Sequence, residues 1–223
     1  MSDESFIREV NEEIRQEKAK ALWGNYGPYL ILAAVLLVLG TGVYQIYDHW
    51  QTSKAGHIGD TFLASFDLGD EQSFDEALQK LDDVEKSGFG DYPLLAGLRK
   101  ASIYMEQGDP ETAVAEFDRI ADNKNAPEMI QKVAKIRAAY ILVDSGSFED
   151  VEKRVKDLAT DVDPTRIMAR EALGLSAYKA GKMDEAHYYF QKIVDERLDG
   201  IKATERSRLM LELMQGSGAI AKE

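Results

Sequence analysis

The sequence predicts an all-α chain: one N-terminal transmembrane helix, then an α-solenoid of about four helix pairs with a C-terminal capping helix. Three observations carry that prediction. Residues 21–47 contain no charged side chain. Beyond them, one short turn pattern recurs at near-constant spacing. No stretch alternates apolar and polar residues with the period of two that a half-buried strand requires.

The span comes first. ALWGNYGPYLILAAVLLVLGTGVYQIY, residues 21–47, meets the need of about 20 apolar residues for crossing a bilayer. Trp23, Tyr26 and Tyr29 stand at one end, and Tyr44, Tyr47 and Trp50 at the other. Amphipathic rings favour the headgroup level, so these six are the expected membrane-interface residues. Tyr26 and Tyr47 lie roughly 32 Å apart along a helix, close to the thickness of the hydrocarbon core. Pro28 reads as a residue near the helix start, where its missing N–H costs little. A cleaved signal peptide is the rival reading. The leading region is long, carries six acids and lacks an A-x-A site, so an uncleaved signal anchor is expected.

Arg8, Arg15, Lys18 and Lys20 precede the span, whereas only Lys54 follows closely. Cations stay in the cytoplasm. The expected topology is therefore single-pass with the N-terminus cytoplasmic; in a bacterium that means an inner-membrane protein whose C-terminal domain is periplasmic. Residues 1–22 form the cytoplasmic tail, 23–47 the anchor, 48–56 a juxtamembrane linker, 57–216 the periplasmic repeat domain and 217–223 a C-terminal tail. In the cytoplasmic tail, Phe6, Ile7, Val10 and Ile14 share one helical stripe, with Ser2 or Ser5 as caps and a Glu4–Arg8 pair. That stripe reads either as a docking helix or, preferably, as a solvated extension of the membrane helix.

The repeat lies beyond the anchor. Gly108-Asp-Pro-Glu-Thr-Ala113, Gly146-Ser-Phe-Glu-Asp-Val151 and Gly181-Lys-Met-Asp-Glu-Ala186 share a glycine, an acid and a small apolar residue. Phe74-Asp-Glu-Ala77 is a weaker copy without the glycine. The small residue recurs at 77, 113, 151 and 186, spacings of 36, 38 and 35. Four residues later come Leu81, Phe117, Val155 and Phe190. Glycine tolerates the left-handed conformation just past a helix end. An acid in the next first turn meets the positive end of the dipole. The small residue lets two helices approach, and the larger one fills the seam. First helices are expected near 54–69, 93–107, 127–145 and 164–180, and second helices near 73–86, 110–122, 148–160 and 183–197. A last helix near 202–214 should cap the stack, because a pair of this size cannot bury its own apolar face.

This pattern resembles the tetratricopeptide repeat. Leu173-Gly174, Tyr178, Gly181, Ala186 and Phe190 form the best copy, and Ala101, Tyr104, Gly108, Ala113 and Phe117 the next. The units are slightly long, they lack the repeat tryptophan, and Tyr178 sits one place late. A short cytoplasmic tail, one span and an acidic repeat domain of this length together resemble the YfgM-like family, ancillary subunits of the bacterial Sec translocon. The resemblance implies association with the Sec translocon and periplasmic chaperones, and handover or folding of exported client chains. A structural scaffold for another envelope complex, in cell division or envelope assembly, is the alternative.

In such arrays the first helices line a concave face. The turn register then places Phe62, Phe66, Leu98, Met105, Ile136, Tyr140, Val143, Leu175 and Tyr178 as partner-binding residues, with Ser102 and Glu171 on the same face. This predicts a groove for apolar or amphipathic segments, with an acidic surround that favours basic partners.

Composition narrows the chemistry. The 223 residues carry 27 Lys and Arg against 40 Asp and Glu, a net charge of −13. Nucleic-acid affinity rests on cations that neutralise phosphates, so no nucleic-acid partner is expected. Absence of cysteine excludes disulfides, thiol nucleophiles and Cys-ligated metal sites. His49, His57 and His187 show no ligand spacing, and no nucleophile-elbow, P-loop or dinucleotide motif occurs. No catalytic, cofactor-binding or metal residue, no small-molecule substrate and no enzyme activity is therefore expected.

Overall fold

The computed structural model describes residues 3–198 and 200–218, with side chains at 12, 14–18 and from 20 onward. Ser2 and the Phe6, Ile7, Val10, Glu4 and Arg8 side chains lie outside the described set. Among the described residues there is no strand. The chain divides into two compact units, Met1–His57 and Ile58–Glu223.

The first unit is helical. It belongs to α1 (Asp3–Asp70), the one described helix long and apolar enough to cross a membrane. Trp23, Tyr26, Tyr29, Tyr44, Tyr47 and Trp50 are each more than half exposed, as are Leu30 to Leu32, Leu36 to Leu39 and Val43. A helix apolar on every side and covered by no protein fits a lipid environment. Pro28 departs from expectation. It lies inside α1 rather than at its start, because helix already begins at Asp3. Its ring removes one backbone bond and crowds the carbonyl four residues back, at Gly24.

Among the described residues the second unit holds the end of α1 and eight further α-helices. They are α2 (Phe74–Ser87), α3 (Tyr92–Glu106), α4 (Pro110–Ala121), α5 (Glu128–Ser145), α6 (Phe148–Val155), α7 (Arg166–Lys179), α8 (Met183–Asp195) and α9 (Lys202–Gly216). One 3₁₀ turn, Lys156–Leu158, follows α6. Each expected helix is present, with ends within a few residues of expectation except at α6, which is shorter. The first repeat helix is not separate but is the end of α1.

Three turns share one hydrogen-bond pattern. The N–H of Asp109 donates to the Tyr104 carbonyl and that of Gly108 to Met105; Lys182 and Gly181 repeat this on Ala177 and Tyr178. Ser73 and Gln72 do the same on Leu68 and Gly69. This Schellman arrangement needs a left-handed residue. Gly108 and Gly181 supply it with φ of 77° and 72°. In the first turn Gln72 is forced there, at φ 62°. Gly146 is the exception: its backbone is extended, and the turn is made by a Ser147–Asp150 capping box instead.

The seam residues form a buried ladder. Ala77, Ala113, Val151 and Ala186 are completely buried, and Leu81, Phe117, Val155 and Phe190 nearly so. Gly174 belongs to the same logic, since a Cβ there would sit 2.7 Å from the Phe190 ring. Among the described residues four core clusters form: α1–α3 around Leu81 and Ile103, α3–α5 around Phe117 and Ile120, α5–α9 around Leu173 and Phe190, and a small one of Ile167, Ile193 and Ala203. The helix α5 contributes to two of them, Ala134 and Ala138 to one and Ile136 and Ala139 to the other.

Ion pairs stitch neighbouring helices. Arg154 grips Asp118 with two hydrogen bonds of 2.9 and 2.6 Å. Lys100 of α3 bonds Asp82 and Glu85 of α2. The hydrogen bond from Arg166, outweighing burial, holds Glu196 below the ordinary glutamate range. Burial alone would raise Asp163, but bonds from Thr165 and Lys132 outweigh it and lower the carboxyl.

Two predictions arise. Gln72→Gly removes the left-handed penalty, and should stabilise the repeat domain by about 0.5–1 kcal/mol in urea denaturation followed by circular dichroism. Because Glu196 and Asp163 titrate lower when folded, their contribution is full above the ordinary carboxylate range and lost as pH falls through the folded values. The urea midpoint should therefore drop between about pH 5 and pH 3, and a flat profile there would contradict the assignment.

Candidate functional site

The first-helix face is not uniformly packed. Helix α5 packs directly on α7, whereas α3 and α5 each pack chiefly on α4. The gap between α3 and α5 leaves an open cavity of about 340 Å³. Ser102, Met105 and Glu106 of α3 form one wall, and Arg137, Tyr140 and Ile141 of α5 the other. Phe117 of α4, the buried seam residue of the second turn, forms the floor. Positions 137, 140 and 141 share one α5 face because i, i+3 and i+4 stack on a helix.

Three expected groove residues meet here: Ser102, Met105 and Tyr140. Met105 is 39% exposed and Tyr140 half-buried. The others lie elsewhere. Phe62 is half-buried in the first cluster, edge-on to Phe66 and Tyr92. Phe66 is exposed beneath the Arg99 guanidinium, 4.7 Å from the ring centre. Leu98 packs on the second cluster; Val143, Leu175 and Tyr178 pack half-buried on the third. Ile136 corrects the expectation. It is 4% exposed and sits in the core, because its side of α5 faces α6 and α7 rather than the groove. Glu171 is likewise internal, at 1% exposed.

Glu171 organises the cavity's rear. The Tyr140 hydroxyl donates to its carboxylate at 2.5 Å, and Arg206 of α9 donates through Nε at 2.5 Å and a terminal nitrogen at 2.8 Å. Burial, then the Glu171 hydrogen bond, push the Tyr140 hydroxyl far above its ordinary range, so it stays a proton donor. The ring of Tyr140 is thus fixed as a wall by the capping helix. Its polar end is consumed internally, and only its apolar body faces the cavity.

Arg137 supplies the polar element that the sequence reading missed. Its guanidinium donates to the Ser102 hydroxyl at 3.2 Å and lies 5.9 Å from the Phe117 ring centre. Ser102 in turn donates to the Leu98 carbonyl at 3.1 Å. Glu106, the other charge in the wall, is held by Arg99 at 2.9 Å. The histidines play no part here: His49 and His57 are exposed on α1, and His187 is half-buried on α8. Among the described residues no cluster of three or more His, Asp or Glu is arranged to hold a metal.

The tetratricopeptide repeat-like domain family matches residues 20–211. The chain belongs to that family. No curated protein and no solved structure matches it. Family membership makes the second unit a protein-interaction module of the helical-repeat kind. The family match, the buried seam ladder and the three Schellman turns describe one architecture.

Removing Arg206 leaves the Glu171 carboxylate buried on one hydroxyl. Arg206→Ala should cost about 2–3 kcal/mol in urea denaturation, and Arg206→Lys distinctly less, because charge survives while the bidentate fork is lost. Equal, negligible losses would show that the network does not hold α9.

Proposed function

We propose that this protein is a single-pass bacterial inner-membrane protein that recruits protein partners at the Sec translocon. In this reading α1 anchors the chain with its N-terminus in the cytoplasm, and the repeat domain from about residue 57 stands in the periplasm. The excess of cations before the span supports that orientation. The domain associates with the translocon and with periplasmic chaperones, and it assists handover or folding of exported chains. The resemblance to the YfgM-like family supports this placement.

The observation that carries the binding role is the open cavity between α3 and α5. Its accessible surface is mostly apolar, with Met105, Phe117, Tyr140 and Ile141 around it. Unfilled apolar concavities on a soluble domain mark sites where another chain's side chain is buried. Burying one large apolar side chain there contributes about 1.5–3 kcal/mol, the scale of a transient handover contact rather than a permanent one.

The test is photocrosslinking from Met105 in living bacteria, using the full chain and mass spectrometry of the adducts. Adducts to the translocon channel, its periplasmic chaperones or varied exported polypeptides are expected. A single adduct to an unrelated envelope protein would replace this reading with a fixed scaffold. Adducts to cytosolic proteins would overturn the orientation.

A further inference from the structure

The groove was expected to favour basic partners, because the chain is strongly acidic. The cavity itself carries the opposite local charge. Most arginines of the repeat domain are consumed by carboxylates: Arg99 by Glu106, Arg119 by Glu85 and Glu116, Arg154 by Asp118, Arg166 by Glu196, Arg206 by Glu171. Arg137 has no ion-pair partner among the described residues, and it is exposed at the cavity wall. The one carboxylate lining the same cavity, Glu106, is already neutralised by Arg99.

Arg137 is also aimed. One terminal nitrogen is fixed by Ser102, whose own proton is committed to the Leu98 carbonyl. The Phe117 ring lies beneath the guanidinium. A guanidinium has five donors in a rigid fork, so anchoring one nitrogen leaves a pair of donors for a planar acceptor. Holding the fork in place beforehand lowers the ordering cost of docking.

We infer that the α3–α5 cavity binds a segment of a partner polypeptide that offers a large apolar side chain with an aspartate or glutamate side chain beside it. The apolar group fills the space bounded by Met105, Phe117, Tyr140 and Ile141. The carboxylate pairs with Arg137. The net charge of −13 opposes the approach of an acidic segment at long range, but that field is screened beyond about 8 Å at physiological salt. Selection is then made by the contact at Arg137. This inference rests on the groove being a partner-binding site.

The test is selection of a displayed random nine-residue peptide library on the full chain in lipid nanodiscs. Enriched sequences from the native protein should pair a large apolar residue with Asp or Glu, the acids at about threefold over the starting library, the strength of a half-exposed ion pair. Arg137→Gln should keep the apolar preference and lose the acidic one, Arg137→Lys should retain it, and Arg137→Glu should turn it toward lysine. Met105→Trp, which fills the cavity, should abolish both preferences. Circular dichroism matched to the native chain qualifies each variant, and any one of the Arg137 series suffices. Apolar enrichment that Met105→Trp removes, without acid preference or with one indifferent to Arg137, overturns this inference and leaves the groove standing. Enrichment unaffected by Met105→Trp, or none, overturns the groove reading as well.

Discussion

The closeness of the two helices in each pair is the constraint on which the repeat domain depends. At Ala77, Ala113, Val151 and Ala186 the helices approach until nothing larger fits, and each position is sealed completely. One turn further on, Leu81, Phe117, Val155 and Phe190 fill the seam that the approach creates. Interiors are packed like crystals, so this alternation of small and large sets the pair angle as well as its stability. Gly174 shows how little slack remains, because even a methyl group would collide with Phe190. Everything outward of the seam, including which side chains reach the first-helix face, follows from it.

Electrostatics is layered on that frame. An acidic chain has more carboxylates than cations, and the fold spends its cations between helices. Lys100, Arg154 and Lys132 each tie two elements together. The deepest of these contacts, Glu171 with Arg206 and Tyr140, joins α9, α7 and α5. It serves two purposes at once, since it seats the last helix and fixes one wall of the cavity. Arg137, one of the cations without an ion-pair partner among the described residues, is set apart by its place on the cavity wall and its bond to Ser102.

Much of this was legible in the sequence. The uncharged run and the recurring turn were enough for the helix order, because glycine, acid and small residue each answer a separate local requirement. Gly108 and Gly181 adopt the left-handed state that the turn demands. Gly146 does not, since Ser147 and Asp150 offer a competing cap. Ile136 was misplaced because helical period assigns a face but not the neighbour that covers it. In α5 the covering neighbour is α7, which packs directly against it. The cavity could not be read at all. It opens between α3 and α5 beside the Arg137–Ser102 bond, and its floor, Phe117, looks like an ordinary seam residue in the repeat. Arg137 gave only one signal, an arginine three residues before Tyr140 on the presumed groove face.

Helix α5 divides its apolar surface between two cores, and the two sides are unequal. Toward α7 it is clamped by direct packing and by the bond network reaching α9. Toward α3 it is joined by the core shared with α4 and by the Arg137–Ser102 bond, and the cavity lies between the two helices. Both walls of the groove are thus backed, by different parts of the stack. The α5 wall is braced by α7 and, through the Glu171 network, by α9, while the α3 wall is braced by α2, through Ile103 and the Lys100 ion pairs, and by α4. A load on the groove is therefore shared between two cores, the first cluster behind α3 and the third behind α5, so neither wall yields without repacking its own cluster.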